Sequence, residues 1–167
     1  MVVQRRSPGD PIRICFVCLG NICRSPTAEA VMRELLREAG LTAEIEVDSA
    51  GTAGWHIGQA PDQRAVEEAN RRGVRIVHRG RQFVRSDFDN YDLILAMDHD
   101  NHRELLRLAP NPEAAAKVRY LRSFDPEAHG AVEILDPYYG TSEDFARAYD
   151  EIEAACRGLL EELRAHL

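Results

Sequence analysis

The chain has 167 residues, the length of a single domain with a substantial buried core. Its 44% hydrophobic and 29% charged residues are typical of a globular protein and exclude a disordered chain. The 21 basic and 28 acidic side chains give a net charge of −7 without a large basic field, so we expect no nucleic-acid partner. No apolar run approaches the ~20 residues of a membrane span, so we expect no membrane partner either.

The first ten residues are polar, include Arg5 and Arg6, and lack the apolar core of a signal peptide. We therefore predict a cytoplasmic protein, with export by a signal-independent route left open. We predict a flexible extension over residues 1–10, followed by one domain over residues 11–167. We expect the protein to be a monomer.

The first predicted element is a strand over Ile12–Cys18, because its nearly continuous apolar run suits a strand buried on both faces. A polar turn leads into a helix with a single apolar stripe at helical spacing. Ser25 is predicted as its N-cap, Pro26 as its first residue and Gly40 as its end. A second strand is predicted over about Ala43–Asp48.

The rest of the chain continues the alternation of helices and strands. We predict a helix over Pro61–Arg72, an irregular connection over residues 74–84, a strand over Tyr91–Met97, a helix from about Asp100 to Leu108 and a strand over Lys117–Phe124. A capping box of Thr141 and Asp144 begins the last helix. This order predicts an α/β fold, a three-layer sandwich with a central four-stranded parallel sheet and helices on both faces.

The segment that carries the chemistry is the loop CLGNICRS between the first strand and the first helix. Ligands of parallel sheets bind outside the carboxyl ends of the strands, and a helix start adds inward N–H groups and a positive dipole end. Small or amide residues here tolerate left-handed backbone, and an arginine fork grips two phosphate oxygens. The loop therefore predicts a phosphate site formed by Leu19, Gly20, Asn21, Ile22, Cys23, Arg24 and Ser25.

Cys18 enters this loop at the strand end, where a helix start and Arg24 favour the thiolate form. Ser25 is placed to donate a hydrogen bond to that sulfur. We interpret Cys18 as a thiolate nucleophile in a phosphate-shaped pocket. The alternative is that Cys18 and Cys23 are small buried hydrophobic residues and Arg24 is a surface charge.

Other phosphate and metal chemistries find no support in the sequence. The Gly-x4-Gly-Lys-Ser/Thr signature of nucleotide-binding loops is absent. Cys15, Cys18 and Cys23 cluster without a second cysteine pair, and the six histidines are scattered, so a closed zinc site is not expected. We expect neither a metal nor a cofactor.

The run from Val17 to Pro26 resembles the active-site signature of the low-molecular-weight protein tyrosine phosphatases. The resemblance continues through Asp48–Thr52, Asp98 with Asn101, and Asp136–Gly140, and covers nearly the whole chain except its first residues. Several phosphatase folds share a Cys-x5-Arg core. The N-terminal position of the loop and the distant Asp-Pro-Tyr-Tyr sequence make the assignment specific.

The resemblance implies hydrolysis of phosphotyrosine in partner proteins, and of aryl phosphates, by three catalytic residues. Cys18 would attack phosphorus and form a phosphocysteine, while Arg24 and the loop amides hold the oxygens. Asp136 would protonate the leaving phenolate and then accept a proton from water. This requires Asp136 to be protonated while Cys18 is ionised. Pro137 restrains Asp136 to an extended conformation.

The resemblance also implies supporting roles. Asn21, Ser49 and His78 would hold the loop through hydrogen bonds, and the side chains that would wall the entrance are Trp55, Tyr138 and Tyr139. From the residues alone, His78 is instead an exposed or structurally satisfied histidine, and the three aromatics are merely partly buried. His56 beside the entrance leaves the substrate preference open, and phosphorylation of the two tyrosines is also left open.

The remaining cysteines separate the competing functions. Cys23 lies five residues after Cys18, and a curled loop would let it trap an oxidised Cys18 as a disulfide, unless it only fills space. An arsenate reductase of the same fold needs further redox cysteines, yet none lies between Cys23 and Cys156. Cys15 and Cys156 are expected in the core. A non-catalytic phosphotyrosine-binding module would have lost Cys18 or Asp136, and both are present.

Overall fold

A computed structural model describes residues 3–167. Four parallel strands form one sheet in the order β2-β1-β3-β4, with bounds β1 Ile12–Cys18, β2 Ile45–Gly51, β3 Leu93–Ala96 and β4 Val118–Tyr120. The helices are α1 Arg24–Ala39, α2 Gln63–Arg71, α3 His99–Leu108, α4 Pro112–Ala116 and α5 Ser142–Arg164. Single 3-10 turns cover Arg85–Asp89 and Leu121–Phe124.

The sheet is covered on both faces, which confirms the predicted three-layer α/β sandwich. Alternate residues of β1 point to opposite sides: Ile14 and Phe16 join the cluster of α1, α2 and α5, while Cys15 and Val17 join that of α3 and α4. Because both of its faces are buried, β1 reads as a continuous apolar run. Cys156 is fully buried in α5, as predicted.

The predicted start of α1 is wrong by two residues. Its N-cap is Cys23, and Ser25 and Pro26 lie within the first helical turn. The hydroxyl of Ser25 does not cap the helix because it contacts Cys18 and Asn21 instead. The predicted end is confirmed, since Gly40 takes the left-handed conformation with φ of 69°.

Three other boundaries differ from the prediction for reasons of strand pairing and capping. β2 begins and ends later than predicted because its ladder with β1 runs from Ile45 to Gly51. α2 is shorter because Asp62 accepts the N–H of Arg64 and caps it. The predicted strand over Lys117–Phe124 is wrong beyond β4, because β3 offers no partner past Ala96 and the chain turns.

The other elements follow the predicted order. α3 and the capping box of α5 are confirmed, and the strand predicted over Tyr91–Met97 is confirmed for its central residues Leu93–Ala96. The short helix α4 was not predicted. Residues 74–84 contain neither helix nor strand, apart from one bridge between Gln82 and Gly51. Among residues 3–167 no helix is long and apolar enough to cross a membrane.

The predicted extension over residues 1–10 lies partly outside the described residues. In its described part, Val3 is buried in the main core. The backbone N–H of Arg6 donates to Asp92 Oδ1 at 2.6 Å. The flexibility of this segment and the domain boundary at residue 11 stay predictions.

Candidate active site

The loop of residues 18–25 lies at the point where the connections between strands switch from one face of the sheet to the other. β1 is central, and the chain leaves β1 towards α1 on one face and leaves β3 towards α3 on the other. A crevice therefore opens at the carboxyl ends of these neighbouring strands. Cys18 ends β1, and Asp98 follows β3 by two residues, so both reach this crevice.

Asn21 holds the loop in its curled shape. Its backbone is left-handed, with φ of 57°, and its side chain is buried. The amide nitrogen Nδ2 donates to Ser25 Oγ at 2.8 Å and Ser49 Oγ at 3.1 Å. The oxygen Oδ1 accepts from His78 Nε2 at 2.7 Å and from the Arg81 backbone N–H at 3.0 Å. The predicted supports Asn21, Ser49 and His78 are thus brought together.

Glu29 of α1 completes this hydrogen-bond network by contacting both Ser49 and His78. The hydroxyl of Ser49 donates to Glu29 Oε1 at 2.8 Å, and His78 Nδ1 lies 3.4 Å from the same oxygen. Burial lowers the pKa of His78, although the negative charge of Glu29 opposes that shift. The imidazole is therefore held in its neutral form beside the loop.

Arg81 ties the same loop to the opposite face of the sheet. Its guanidinium contacts Asp87 at 3.1 Å and donates to the hydroxyl of Tyr91 at 3.0 Å. That hydroxyl in turn donates to Asp48 Oδ2 at 2.6 Å. These side-chain contacts of Arg81 fix the position of its backbone N–H, which donates to Asn21.

The loop amides are open to a ligand. None of the backbone N–H groups of residues 19–25 donates a hydrogen bond to another part of residues 3–167. The N-cap Cys23 makes no side-chain hydrogen bond to the helix end. These donors and the positive end of the α1 dipole form a nest suited to an anion.

Cys18 lies at the base of this nest. Its Sγ is 3.0 Å from Ser25 Oγ, while the carbonyl of Ala50 is 3.4 Å from the same hydroxyl. Ser25 accepts a hydrogen from Asn21, and its own single proton can be directed to the sulfur or to the Ala50 carbonyl.

Arg24 is a fixed buried cation, only 2% exposed. Its Nη1 donates to Asp98 Oδ2 at 2.6 Å and to the Ile134 carbonyl at 2.8 Å. Its Nη2 lies 3.5 Å from Asp136 Oδ2, and its Nε is buried without a hydrogen-bond partner among residues 3–167. Burial alone would lower the pKa of Arg24, but the charges of Cys18, Asp98 and Asp136 raise it.

The predicted catalytic residues and aromatic walls line one cleft of about 140 Å³. Asp136 accepts the N–H of Tyr138 at 3.1 Å, which orients its carboxylate at the cleft mouth. The guanidinium of Arg64 covers the ring of Tyr138 at 5.4 Å from the ring centre. The lining residues are Cys18, Leu19, Gly20, Ile22, Cys23, Arg24, Trp55, His56, Asp136, Tyr138 and Tyr139.

Cys23 is the only cysteine besides Cys18 that lines this cleft within residues 3–167. Burial raises its pKa, and the charges of Asp62 and Cys18 raise it further. Cys15 and Cys156 are fully buried in the core. Among residues 3–167 no group of histidine, cysteine or carboxylate side chains could hold a metal ion.

Three residues of the site have no role predicted from the sequence: Asp98, Glu29 and Arg81. Asp98 could have been inferred because it follows a buried strand adjacent to β1. Arg81 lies in the irregular segment, where no periodicity indicates what its side chain contacts. The fold and the site together define an α/β protein whose loop between a buried thiol and a fixed arginine is suited to an anion.

Comparison with known proteins agrees with that class. The family profile described as low molecular weight phosphotyrosine protein phosphatase matches residues 13–167. A low molecular weight protein-tyrosine-phosphatase of Streptomyces coelicolor is 48% identical, over 91% of this chain and 93% of its own length. The chain belongs to the low molecular weight phosphotyrosine protein phosphatase family, as the sequence resemblance predicted.

Two solved structures show the same fold. The protein tyrosine phosphatase of Entamoeba histolytica, crystallised with Hepes in the active site, superposes with a TM-score of 0.89 and 41% identity. That match covers 93% of this chain and 98% of the other. An arginine phosphatase of Drosophila superposes with a TM-score of 0.84 and 33% identity, covering 92% and 98%.

Proposed function

We propose that this protein hydrolyses phosphotyrosine in other proteins, and aryl phosphates, through a phosphocysteine intermediate. The observation that supports this most is one cleft that contains a thiol, a carboxylate and an arginine whose Nε has no partner among residues 3–167. Cys18 and Arg24 stand at its base and Asp136 at its mouth. A phosphate monoester would place its charged phosphate group at the base of this cleft and its leaving group at the mouth.

Phosphate binding uses donors of Arg24 and of the loop. Arg24 commits Nη1 to Asp98 and Ile134, its Nε has no partner among residues 3–167, and its Nη2 faces Asp136 at 3.5 Å, so Nε and Nη2 can turn to two phosphate oxygens when Asp136 is protonated. The backbone N–H groups of residues 19–25 supply the remaining hydrogen bonds. These donors match the charge that develops on the equatorial oxygens in the transition state.

The reaction proceeds in two displacements. The Cys18 thiolate attacks phosphorus, the bond from phosphorus to the tyrosyl oxygen breaks, and Asp136 gives its proton to the departing phenolate. A water molecule then attacks phosphorus and loses a proton to Asp136, and the sulfur–phosphorus bond breaks. Inorganic phosphate leaves, and both Cys18 and Asp136 return to their initial protonation states.

The cleft walls support an aromatic leaving group. Trp55 and Tyr139 are well exposed at the mouth, and Tyr138 is fixed under the guanidinium of Arg64. Ile22 adds an apolar side chain to the lining. A phenyl ring is stabilised by such a wall, whereas a short phosphoserine side chain does not span from the base to the mouth.

We assign Asn21, Ser49 and His78 to positioning the phosphate loop. Asn21 uses both its amide nitrogen and its oxygen on the surrounding network, so its left-handed backbone is over-determined. The neutral imidazole of His78 supplies one of these bonds. Loss of either partner would release Asn21 and widen the nest.

Cys23 is proposed to protect the nucleophile from peroxide. Peroxide converts the Cys18 thiolate to a sulfenic acid, and Cys23 then displaces hydroxide from that sulfur to form a disulfide, releasing water. Burial keeps Cys23 protonated and unreactive beforehand. After peroxide and then a thiol reductant, wild type should recover activity and Cys23→Ser should not. Equal recovery would leave Cys23 as a packing residue.

The function is tested on paired peptides that carry phosphotyrosine or phosphoarginine. We expect turnover of the phosphotyrosine peptide and of p-nitrophenyl phosphate, inhibition by vanadate and indifference to chelators. Cys18→Ser should lose turnover while still binding phosphate. Selective turnover of phosphoarginine, or wild-type turnover by Cys18→Ser, would contradict the proposal. Reduction of arsenate is not expected, because Cys156 is buried away from the cleft.

Phosphotyrosine-containing proteins are accordingly the partners that we propose, with the protein acting as a monomer. Size-exclusion chromatography with light scattering tests the monomer, and binding of labelled duplex DNA or lipid vesicles would contradict the expected absence of those partners. The proposed cytoplasmic location is tested by fractionation of the producing cells.

A further inference from the structure

The segment of residues 75–79, which we call the basic edge, follows α2 and belongs to no helix or strand. Its side chains alternate in direction: Arg75, Val77 and Arg79 are exposed, whereas Ile76 and His78 face the protein. Val77 is 67% exposed, although it is β-branched and apolar. Such alternation is that of an extended chain.

The backbone of the basic edge is unpaired. None of its N–H or C=O groups forms a hydrogen bond within residues 3–167. Its flanks are paired, because Val74 N–H donates to the Ala69 carbonyl and Gly80 N–H donates to the Gln59 carbonyl. Five successive residues thus present donors and acceptors as the open edge of a sheet does.

An open groove of about 380 Å³ runs beside the basic edge. Its other wall is formed by Ala60, Pro61, Gln63 and Val66, which are mainly apolar. The exposed guanidinium groups of Arg75 and Arg79 form no ion pair with any of residues 3–167. Two residues four apart on an extended chain lie on the same side, about 13 Å from each other.

We infer that the basic edge binds an acidic, extended polypeptide segment of a partner protein by strand addition. Main-chain hydrogen bonds to residues 75–79 supply affinity, and the side-chain pattern supplies selection. The pattern that fits is an acidic residue opposite Arg75, an apolar residue opposite Val77 and an acidic residue opposite Arg79. Pairing with the same edge of a second copy in register would place like charges together, which disfavours it.

The probe is an acetylated and amidated peptide, Ser-Glu-Val-Val-Val-Glu-Ser, added to the full-length chain. Hydrogen exchange should slow at the amides of residues 75–79 when this peptide binds. Labelled-peptide anisotropy should show that Arg75→Glu with Arg79→Glu weakens binding by about tenfold or more. The matched control, Arg85→Glu with Arg157→Glu, changes the net charge equally at other exposed arginines and should bind as wild type does.

Two further peptides separate strand addition from simple charge attraction. A peptide N-methylated at its central valine and a peptide with lysine in place of glutamate should both lose binding. Equal binding by the N-methylated peptide, or no protection of residues 75–79, would overturn the inference. Protection that rises with protein concentration without peptide would assign the edge to a second copy and also overturn it. A cooperative urea unfolding transition followed by circular dichroism checks the fold of both double variants, so the result does not depend on the proposed function.

Discussion

Replacing Asp98 by Asn should weaken both the fold and the active site, because its carboxylate serves two donors at once. Oδ2 accepts from Arg24 Nη1 at 2.6 Å, and Oδ1 accepts from the backbone N–H of Asn101 at 2.8 Å and caps α3. An asparagine side chain has only one acceptor oxygen. Asp98→Asn therefore leaves either the buried guanidinium or the helix cap without its partner.

The size of the effect follows from what is left unpaired. A lost hydrogen bond to a buried charged group costs about 1.5–3 kcal/mol, so we expect the free energy of unfolding to fall by about 2 kcal/mol. Asp98→Ala removes both acceptors and should cost about 1 kcal/mol more, the usual value of an N-cap. A misplaced Arg24 fork should also lower kcat/KM by at least about tenfold, or ~1.4 kcal/mol of transition-state stabilisation.

Urea unfolding and steady-state turnover of a phosphotyrosine peptide measure these two effects. The matched control is Asp100→Asn, since Asp100 is 84% exposed in the same helix and pairs only with Arg103 at the surface. It should cost less than about 1 kcal/mol and leave kcat/KM unchanged. Wild-type kcat/KM in Asp98→Asn would refute the view that Asp98 positions Arg24. A wild-type unfolding midpoint would refute the shared-acceptor argument.

Three further predictions concern the cleft and its support. Burial lowers the pKa of His78, so the unfolded chain takes up the proton first. The free energy of unfolding should therefore fall as the pH drops below about 6.5, and urea titrations of His78→Gln should show a flatter dependence. Asp136→Asn should lose a factor of order 10² to 10⁴ on phosphotyrosine and less on p-nitrophenyl phosphate, whose phenolate leaves without a proton; equal losses would make Asp136 structural. Phosphate should change the Trp55 fluorescence in a saturable way, since Trp55 lines the cleft and is the sole tryptophan, and a flat titration at inhibiting phosphate would place it outside the site.

The layered fold could be predicted because burial on both faces leaves a plain pattern in the sequence. β1 lies at the predicted residues, and the stripe of α1 is buried against α5. The predicted boundaries were wrong where a contact with a residue distant in sequence determines where an element begins or ends. Ser25 is a good N-cap residue by type, but its hydroxyl contacts Cys18 and Asn21 in the folded loop. β4 ends because its neighbour β3 ends.

The site residues also fall into two groups: those that a sequence motif predicts and those that only the folded structure brings to the site. Cys18, Arg24 and Asp136 were predicted from a motif, and the structure brings them to one cleft. The place of Asp98 in the site could be predicted only from the strand order, because the adjacency of β1 and β3 brings it to Arg24. Arg81 was beyond prediction, because its backbone contacts the loop while its guanidinium lies among Asp87 and Tyr91 on the other face.

Because the start of α1 has no side-chain cap, the melting temperature of this protein should depend on the anions in the solution. No side chain of residues 3–167 satisfies the first amides of that helix, so a bound oxyanion would complete it as a cap does. By mass action, an anion at 100 times its Kd adds about 2.7 kcal/mol to the free energy of unfolding. The product of the proposed reaction would thus slow the enzyme and preserve its fold together, and phosphate-buffered samples would melt at a higher temperature than samples in a non-binding buffer.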